Sequence, residues 1–262
     1  MNINLVGKNA LVCGSTQGLG LASAIEIALL GANVVLMSRD ENKLKQAIEK
    51  LDKSKGQQHQ YLVADFSDAQ NVKKCINGFI GKGNIVQILI NNTGGPAGGK
   101  AIDADTDQFI QAFNQHLVCN HILVQATVPG MKSAGYGRII NVISTSVKQP
   151  IKGLGVSNTI RASVANWSKT LSVELGSFGI TVNNVLPGFT QTTRADYIIK
   201  KKAADTGKSE DEIMQELVEE IPAGRIGQPE EFGAAVAFLC TPSASYINGI
   251  NLPVDGGRTA CL

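Results

Sequence analysis

Short, nearly uninterrupted apolar runs alternate with amphipathic stretches along the whole chain. The apolar runs fall at 10–13, 33–37, 61–64, 85–90, 138–143, 181–186 and 250–254. None shows the polar–apolar alternation of a half-solvated strand. Each therefore predicts a strand covered on both faces, as in a parallel sheet. Stretches at 18–30, 40–51, 68–80, 106–132, 156–175 and 230–239 have helical character. Strand and helix in alternation imply right-handed βαβ crossovers. The pattern predicts an α/β architecture, a doubly wound and mostly parallel seven-stranded sheet with helices on both faces. No Pro/Gly/Ser-rich linker or internal repeat interrupts it, so residues 1–262 are expected to form a single domain.

The segment 190–222 departs from this pattern. It is polar and charge-dense, with Lys200, Lys201 and Lys202 followed by Glu210, Asp211 and Glu212. One or two exposed helices are expected there, inserted before the last core helix. Long insertions in compact domains usually serve a site, so a lid is the expectation and a solvated helical excursion the alternative.

Composition narrows the function. With 262 residues, 43% hydrophobic and 18% charged, the chain can bury a sizeable core. A net charge of +2 gives no basis for a nucleic-acid or anionic-membrane partner. No apolar run approaches the ~20 residues of a membrane span. The first five residues show no basic and apolar export signal. Cys13, Cys75, Cys119, Cys240 and Cys261 are odd in number, scattered and mostly within apolar runs. They are expected to be buried thiols of a reducing compartment, which implies a cytoplasmic protein.

The first strand runs directly into Gly14-Ser15-Thr16-Gln17-Gly18-Leu19-Gly20, and a helix follows. That strand–turn–helix context makes the glycines informative. Without Cβ atoms, Gly14, Gly18 and Gly20 let the backbone approach a pyrophosphate, and the helix start aims N–H groups and its positive dipole end at it. The turn predicts a Rossmann-type dinucleotide site.

The spacing Gly-x-x-x-Gly-x-Gly, the turn Asn91-Asn92-Thr93-Gly94, Pro187-Gly188 with Thr192, and the C-terminal stretches 224–231 and 254–257 resemble the short-chain dehydrogenase/reductases over nearly the whole chain. The likeness is greatest to bacterial 3-oxoacyl-(acyl-carrier-protein) reductases and their relatives. It implies that Gly14, Ser15, Gln17, Gly18, Leu19, Gly20, Asp65, Asn92, Gly94, Pro187, Gly188 and Thr192 bind the cofactor. Cys13 and Thr93 stand where the family usually has Thr and Ala. The expectation is that a hydroxyl-mediated contact between the two turns has moved from one side to the other.

The second strand ends Met37-Ser38-Arg39. An acid at that point would bind the ribose hydroxyls of NAD and repel the 2′-phosphate of NADP. A hydroxyl at Ser38 and a guanidinium at Arg39 favour NADP(H) over NAD(H), since arginine binds phosphate bidentately.

The resemblance implies catalysis by a tyrosine, a lysine four residues later, a serine after the fifth strand and an asparagine on the preceding long helix. Ser144 matches the serine. The ungapped register places Ser157 at the tyrosine, Arg161 at the lysine and His116 at the asparagine. The four tyrosines, Tyr61, Tyr136, Tyr197 and Tyr246, all lie outside 144–161, so no shift recovers the motif. A serine hydroxyl is a poor acid near neutral pH and arginine stays protonated. His116 is the one nearby group with an ordinary pKa near neutrality. Lys148 and Lys152 are further candidates. Arg161 is expected to hold the nicotinamide ribose or a substrate carboxylate. Two functions follow: an NADP(H)-dependent carbonyl–alcohol oxidoreductase with a non-standard proton donor, or an NADP(H)-binding protein with little or no turnover. For His116, a hydrogen-bonded histidine at the core's edge is the other expectation. His116, Cys119 and His121 do not make a metal set, because His121 points elsewhere on a helix, and no metal is expected.

The substrate implied is a small carbonyl compound or an acyl thioester. Positions aligned with two basic carrier-docking residues hold Gly135 and Phe178, which weakens a carrier-borne substrate, although 200–202 offers another basic surface. The segment 94–99 is expected to be a flexible rim beside the nicotinamide. Apolar character at 156–175 and 246–254 fits a homo-tetramer or homo-dimer, as in relatives.

Overall fold

The computed structural model describes residues 1–261. Its strands are β1 (Asn9–Cys13), β2 (Asn33–Ser38), β3 (Gln60–Val63), β4 (Ile88–Asn91), β5 (Gly137–Val142), β6 (Ile180–Pro187) and β7 (Asn251–Val254). They form one sheet in the order β3-β2-β1-β4-β5-β6-β7, with every neighbouring pair parallel. β4 and β5 are buried at every position, and β1 and β6 at all but one. Burial on both faces removes the need for polar positions, which is why these strands carry continuous apolar runs. The edge strands β3 and β7 are only partly covered.

The helices are α1 (Gly18–Leu29), α2 (Glu41–Ile48), α3 (Ala69–Ile80), α4 (Thr106–Phe113), α5 (Cys119–Ser133), α6 (Gly155–Leu175), α7 (Thr193–Thr206), α8 (Glu210–Glu219) and α9 (Pro229–Leu239). One core cluster unites β1 and β2 with α1 and α9 through Ile27, Leu36, Phe232 and Val236. A second packs α3, α5 and α6 on the sheet through Ile76, Leu123, Met131 and Leu171. Strand order reverses at β1, with β2 on one side and β4 on the other. The carboxyl ends of β1 and β4 therefore open a crevice, the usual ligand position in such sheets.

Two expectations change in detail. The run 85–90 pairs in the sheet only from Ile88, because Ile85 O and Gln87 Oε1 are taken by the side chain and amide of Asn9. The stretch 106–132 is helical throughout but not uniformly α, because a π-helical turn at Asn114–Val118 joins α4 to α5. The segment 190–222 forms the helical pair α7 and α8, joined by Gly207 in the left-handed conformation. Ile199, Ala203, Ile213 and Leu217 give it a small core of its own, packed with Phe189 and Met214.

Candidate active site

A cleft of about 590 Å³ opens at the switch between β1 and β4. Its floor is the glycine turn. Gly14 and Gly18 have φ of +56° and +54°, a region that side chains disfavour. A Cβ on Gly14 would lie 2.6 Å from Asn92 O, and one on Gly20 would lie 2.2 Å from Gly14 O. Gln17 begins α1 without a side-chain cap, so the first N–H groups of that helix keep their donors free. The start of α2, by contrast, is capped by Asp40 and that of α3 by Asp68. Gly14, Thr16, Gln17, Gly18 and Leu19 line the cleft.

Ser15 does not. It is fully buried, and its hydroxyl accepts a hydrogen bond from the Met37 amide at 3.1 Å, tying the turn to β2. The assignment of Ser15 to cofactor contact is corrected accordingly. Gly20 is also behind the wall, where its lack of a side chain lets α1 pack on Gly14.

At one end of the cleft stand Ser38, Arg39, Lys43, Asp65 and Phe66. Arg39 is exposed, and among the described residues no carboxylate pairs with it. Asp40 is occupied as the cap of α2, accepting from the Lys43 amide at 3.0 Å. The Ser67 amide, and more weakly Arg39, hold the Asp65 carboxyl below its usual range.

At the other end lie Asn92, Thr93, Gly94, Gly95 and Gln115 on one side and Pro187, Gly188 and Thr192 on the other. Asn92 Nδ2 donates to both Cys13 O and Gly14 O, at 3.3 and 3.1 Å. Thr192 caps α7 by accepting from the Ala195 amide. The segment 94–99 is anchored at its far end, where Gly99 N donates to Gly153 O at 2.7 Å and Gly155 N to Gly99 O at 2.9 Å.

The contact expected between the Thr93 hydroxyl and the Cys13 side is absent from the described hydrogen bonds. Thr93 Oγ1 instead meets His116 Nδ1 at 2.7 Å, and Asn92 makes the link between the two turns. His116 sits in the π-helical turn, 1% exposed, with Nε2 lacking any partner. Burial, and then the charge of Arg161, lower its pKa from 6.5 to about 3. His116 is therefore neutral near pH 7 and cannot serve as a charged acid there. That corrects the expectation drawn from its ordinary pKa. Ser144 caps the short turn after β5, accepting from the Ser146 amide. Ser157 lies in the first turn of α6, half-buried. Arg161, 8% exposed, donates from Nη1 to Val142 O at 2.9 Å. A Cβ on the cleft-lining Gly95 would stand 3.6 Å from Arg161 Nη2.

Residues 14–259 match the family model described as Enoyl-(Acyl carrier protein) reductase. The 3-oxoacyl-(acyl-carrier-protein) reductase of Rickettsia felis is 31% identical over 255 residues, covering 97% of this chain and 98% of that one. The chain belongs to the short-chain dehydrogenase/reductase family. The crystal structure of L-sorbose reductase from Gluconobacter frateurii, complexed with NADPH and L-sorbose, superposes with a TM-score of 0.93 at 28% identity and full coverage of both chains. YwfH, an NADPH-dependent reductase involved in bacilysin biosynthesis, superposes at 0.91 with 27% identity, covering 97% of this chain and 99% of that one. The relatives named are reductases. Among the described residues, no group of His, Cys, Asp and Glu could hold a metal, and no helix is long and apolar enough to cross a membrane.

Thr16, Lys43 and Arg194 are among the cleft residues that sequence reasoning missed. Thr16 and Lys43 line the wall beside residues that were singled out. Lys43 lies in the first turn of α2, just past Arg39, and its charge near that arginine was the available signal. Arg194 enters the cleft from the first turn of α7. Its position against the positive end of that helix was the available signal, since a cation there is unfavourable without an anion nearby.

Proposed function

We propose that the chain is an NADP(H)-dependent oxidoreductase that interconverts a carbonyl and an alcohol, with a proton path that uses no tyrosine. The observation that carries this reading is the cradle itself. One cleft joins a glycine turn closed to side chains, an uncapped helix start and an arginine without an acid partner. These suit a dinucleotide diphosphate and a 2′-phosphate. The NADPH of the L-sorbose reductase complex supports the same assignment. In this reading Gly14, Gln17, Gly18 and Leu19 surround the diphosphate, Ser38, Arg39 and Lys43 the 2′-phosphate, and Asp65 the adenine. Asn92, Gly94, Pro187, Gly188 and Thr192 hold the nicotinamide half.

When bound, the cofactor supplies the hydride that the carbonyl carbon accepts. Ser144 binds the carbonyl oxygen. The proton that this oxygen needs comes from water, ordered by Ser157 and by His116. Because His116 stays neutral, its Nε2 orients that water by a hydrogen bond while Thr93 fixes the ring at Nδ1, and the water gives up the proton and regains one from solvent. Arg161 adds a permanent positive charge behind Gly95 at the nicotinamide end of the cleft. The pair α7–α8 acts as a lid, since Thr193, Arg194, Ala195 and Ile198 wall the cleft. Exposed Val173, Phe178 and Tyr246 favour assembly into a dimer or tetramer.

Fluorescence titration with NADPH and NADH, followed by NADPH oxidation over a carbonyl panel, tests this. Tighter NADPH binding and oxidation with at least one carbonyl is the expected result. A second reading, a nucleotide-binding protein without turnover, draws on the burial of His116 and on Ser144 and Arg161 lying outside the cleft lining. Tight NADPH binding with no carbonyl oxidising it would favour that reading.

A further inference from the structure

Two arginines are buried in this fold, and they are not used alike. Arg138, 2% exposed, makes three hydrogen bonds: Nε donates to Thr241 O, Nη1 to Gly137 O and Gly179 O, and the Tyr136 ring lies 4.2 Å from its guanidinium carbon. Its donors have a structural use, since they close the start of β5 against the loop after α9. Arg161 is nearly as buried, yet it makes one hydrogen bond, to Val142 O. Among the described residues, no carboxylate pairs with it.

A guanidinium has five N–H donors in a planar fork. Only one of them is used within the described protein, which leaves the rest of the fork free to take an anion. The neighbours point the same way. His116 is close enough to feel the charge, is neutral, and leaves Nε2 unpaired. A Cβ on the cleft-lining Gly95 would stand 3.6 Å from Arg161 Nη2. The guanidinium therefore stands directly behind Gly95, where the wall of the cleft carries no side chain.

Accepting the oxidoreductase reading above, we propose that Arg161 anchors a carboxylate of the substrate, so that the enzyme reduces oxo acids in preference to neutral ketones or esters. The planar fork takes both carboxylate oxygens, as is usual for arginine–carboxylate pairs. The carboxylate is then fixed at Arg161 and the carbonyl oxygen lies toward Ser144. Gly95 puts no side chain between the guanidinium and the cleft, so the carboxylate and the carbonyl belong to one short molecule. The Ser144 hydroxyl and the guanidinium divide the two polar ends of the substrate between them.

The test uses the full chain loaded with NADPH. Pyruvate, acetoacetate and levulinate are compared with their methyl esters by NADPH oxidation. At least one acid should exceed its ester in kcat/KM by about tenfold or more. Arg161→Gln should abolish that preference and Arg161→Lys should restore part of it, with NADPH affinity kept within about twofold. Malonate provides a readout without turnover: it should raise the melting temperature of the NADPH-loaded wild type and leave Arg161→Gln unmoved. Esters reduced as well as acids, or no malonate effect on wild type, would overturn the inference. So would an Arg161→Gln variant that loses NADPH and oxo acid in equal proportion, since Arg161 would then serve the cofactor. Failure of the wild type to bind NADPH would instead remove the oxidoreductase reading on which the inference stands.

Discussion

At the phosphate end of the cleft, the determining groups are backbone. Glycines 14 and 20 leave no room for a methyl group, α1 presents bare N–H groups, and Asn92 clamps the turn from the neighbouring loop. At the nicotinamide end, the determining groups are side chains, and several are incompletely paired. His116 keeps an orphaned Nε2 and Arg161 most of its donors. The first end is complete without a ligand and selects by shape. The second is incomplete and selects by charge. Holding a dinucleotide and acting on a substrate are therefore separable in this fold, and substitutions should separate them.

The largest effect is expected from Gly20→Ala. Its Cβ meets a backbone oxygen that no rotamer change can move, so overpacking should cost about 4 kcal/mol or more, with loss of NADPH binding. Urea denaturation and fluorescence titration measure both. If the variant binds NADPH normally, the phosphate end does not select by shape.

Next comes the pH dependence set by His116. Its folded pKa lies near 3, well below the ordinary 6.5, so the unfolded chain takes up the proton first. Its contribution to stability is complete above pH 6.5 and is lost as pH falls toward 3. Between pH 6.5 and 4 the loss should be on the order of 3 kcal/mol, and His116→Gln should flatten that part of the curve. A wild-type stability curve flat over this window would show that the ring is not held neutral.

Arg39→Ala is expected to weaken NADPH by about thirtyfold, close to 2 kcal/mol, while leaving NADH unchanged. Equal loss for both nucleotides would place Arg39 on the adenine or the turn. Gly95→Val sets a side chain against Arg161 with no backbone strain, since φ there is not positive. Oxo-acid turnover should fall about tenfold with NADPH affinity held within about twofold. The smallest effect is expected from Arg194→Ala. An exposed cation on the proposed lid should contribute at most about 1 kcal/mol to NADPH binding, and less as salt rises.

The doubly wound sheet was legible because central strands buried on both faces need unbroken apolar runs. The phosphate turn was legible because only glycine tolerates its backbone. What lay beyond the sequence arose from groups whose roles depend on a partner far along the chain. Ser15 sits inside a cofactor-type motif, yet its hydroxyl turns to Met37. Thr93 is two dozen residues from the His116 that it binds, and His116 itself sits in a π-helical turn. A histidine's ordinary pKa is a property of the free side chain, whereas burial beside Arg161 is a property of the fold. Arg194 reaches the cleft from a helix whose polar composition resembles plain surface.

The clamp formed by Asn92 also sets an order of events during synthesis. The glycine turn ends at residue 20, but its fourth wall is a side chain that leaves the ribosome much later. β4 must slot in beside β1 before Asn92 can reach Cys13 and Gly14. A nascent chain released before that point carries the nucleotide motif without a nucleotide site. Nucleotide capture in this protein is therefore a late checkpoint, passed only once the two halves of the sheet have joined.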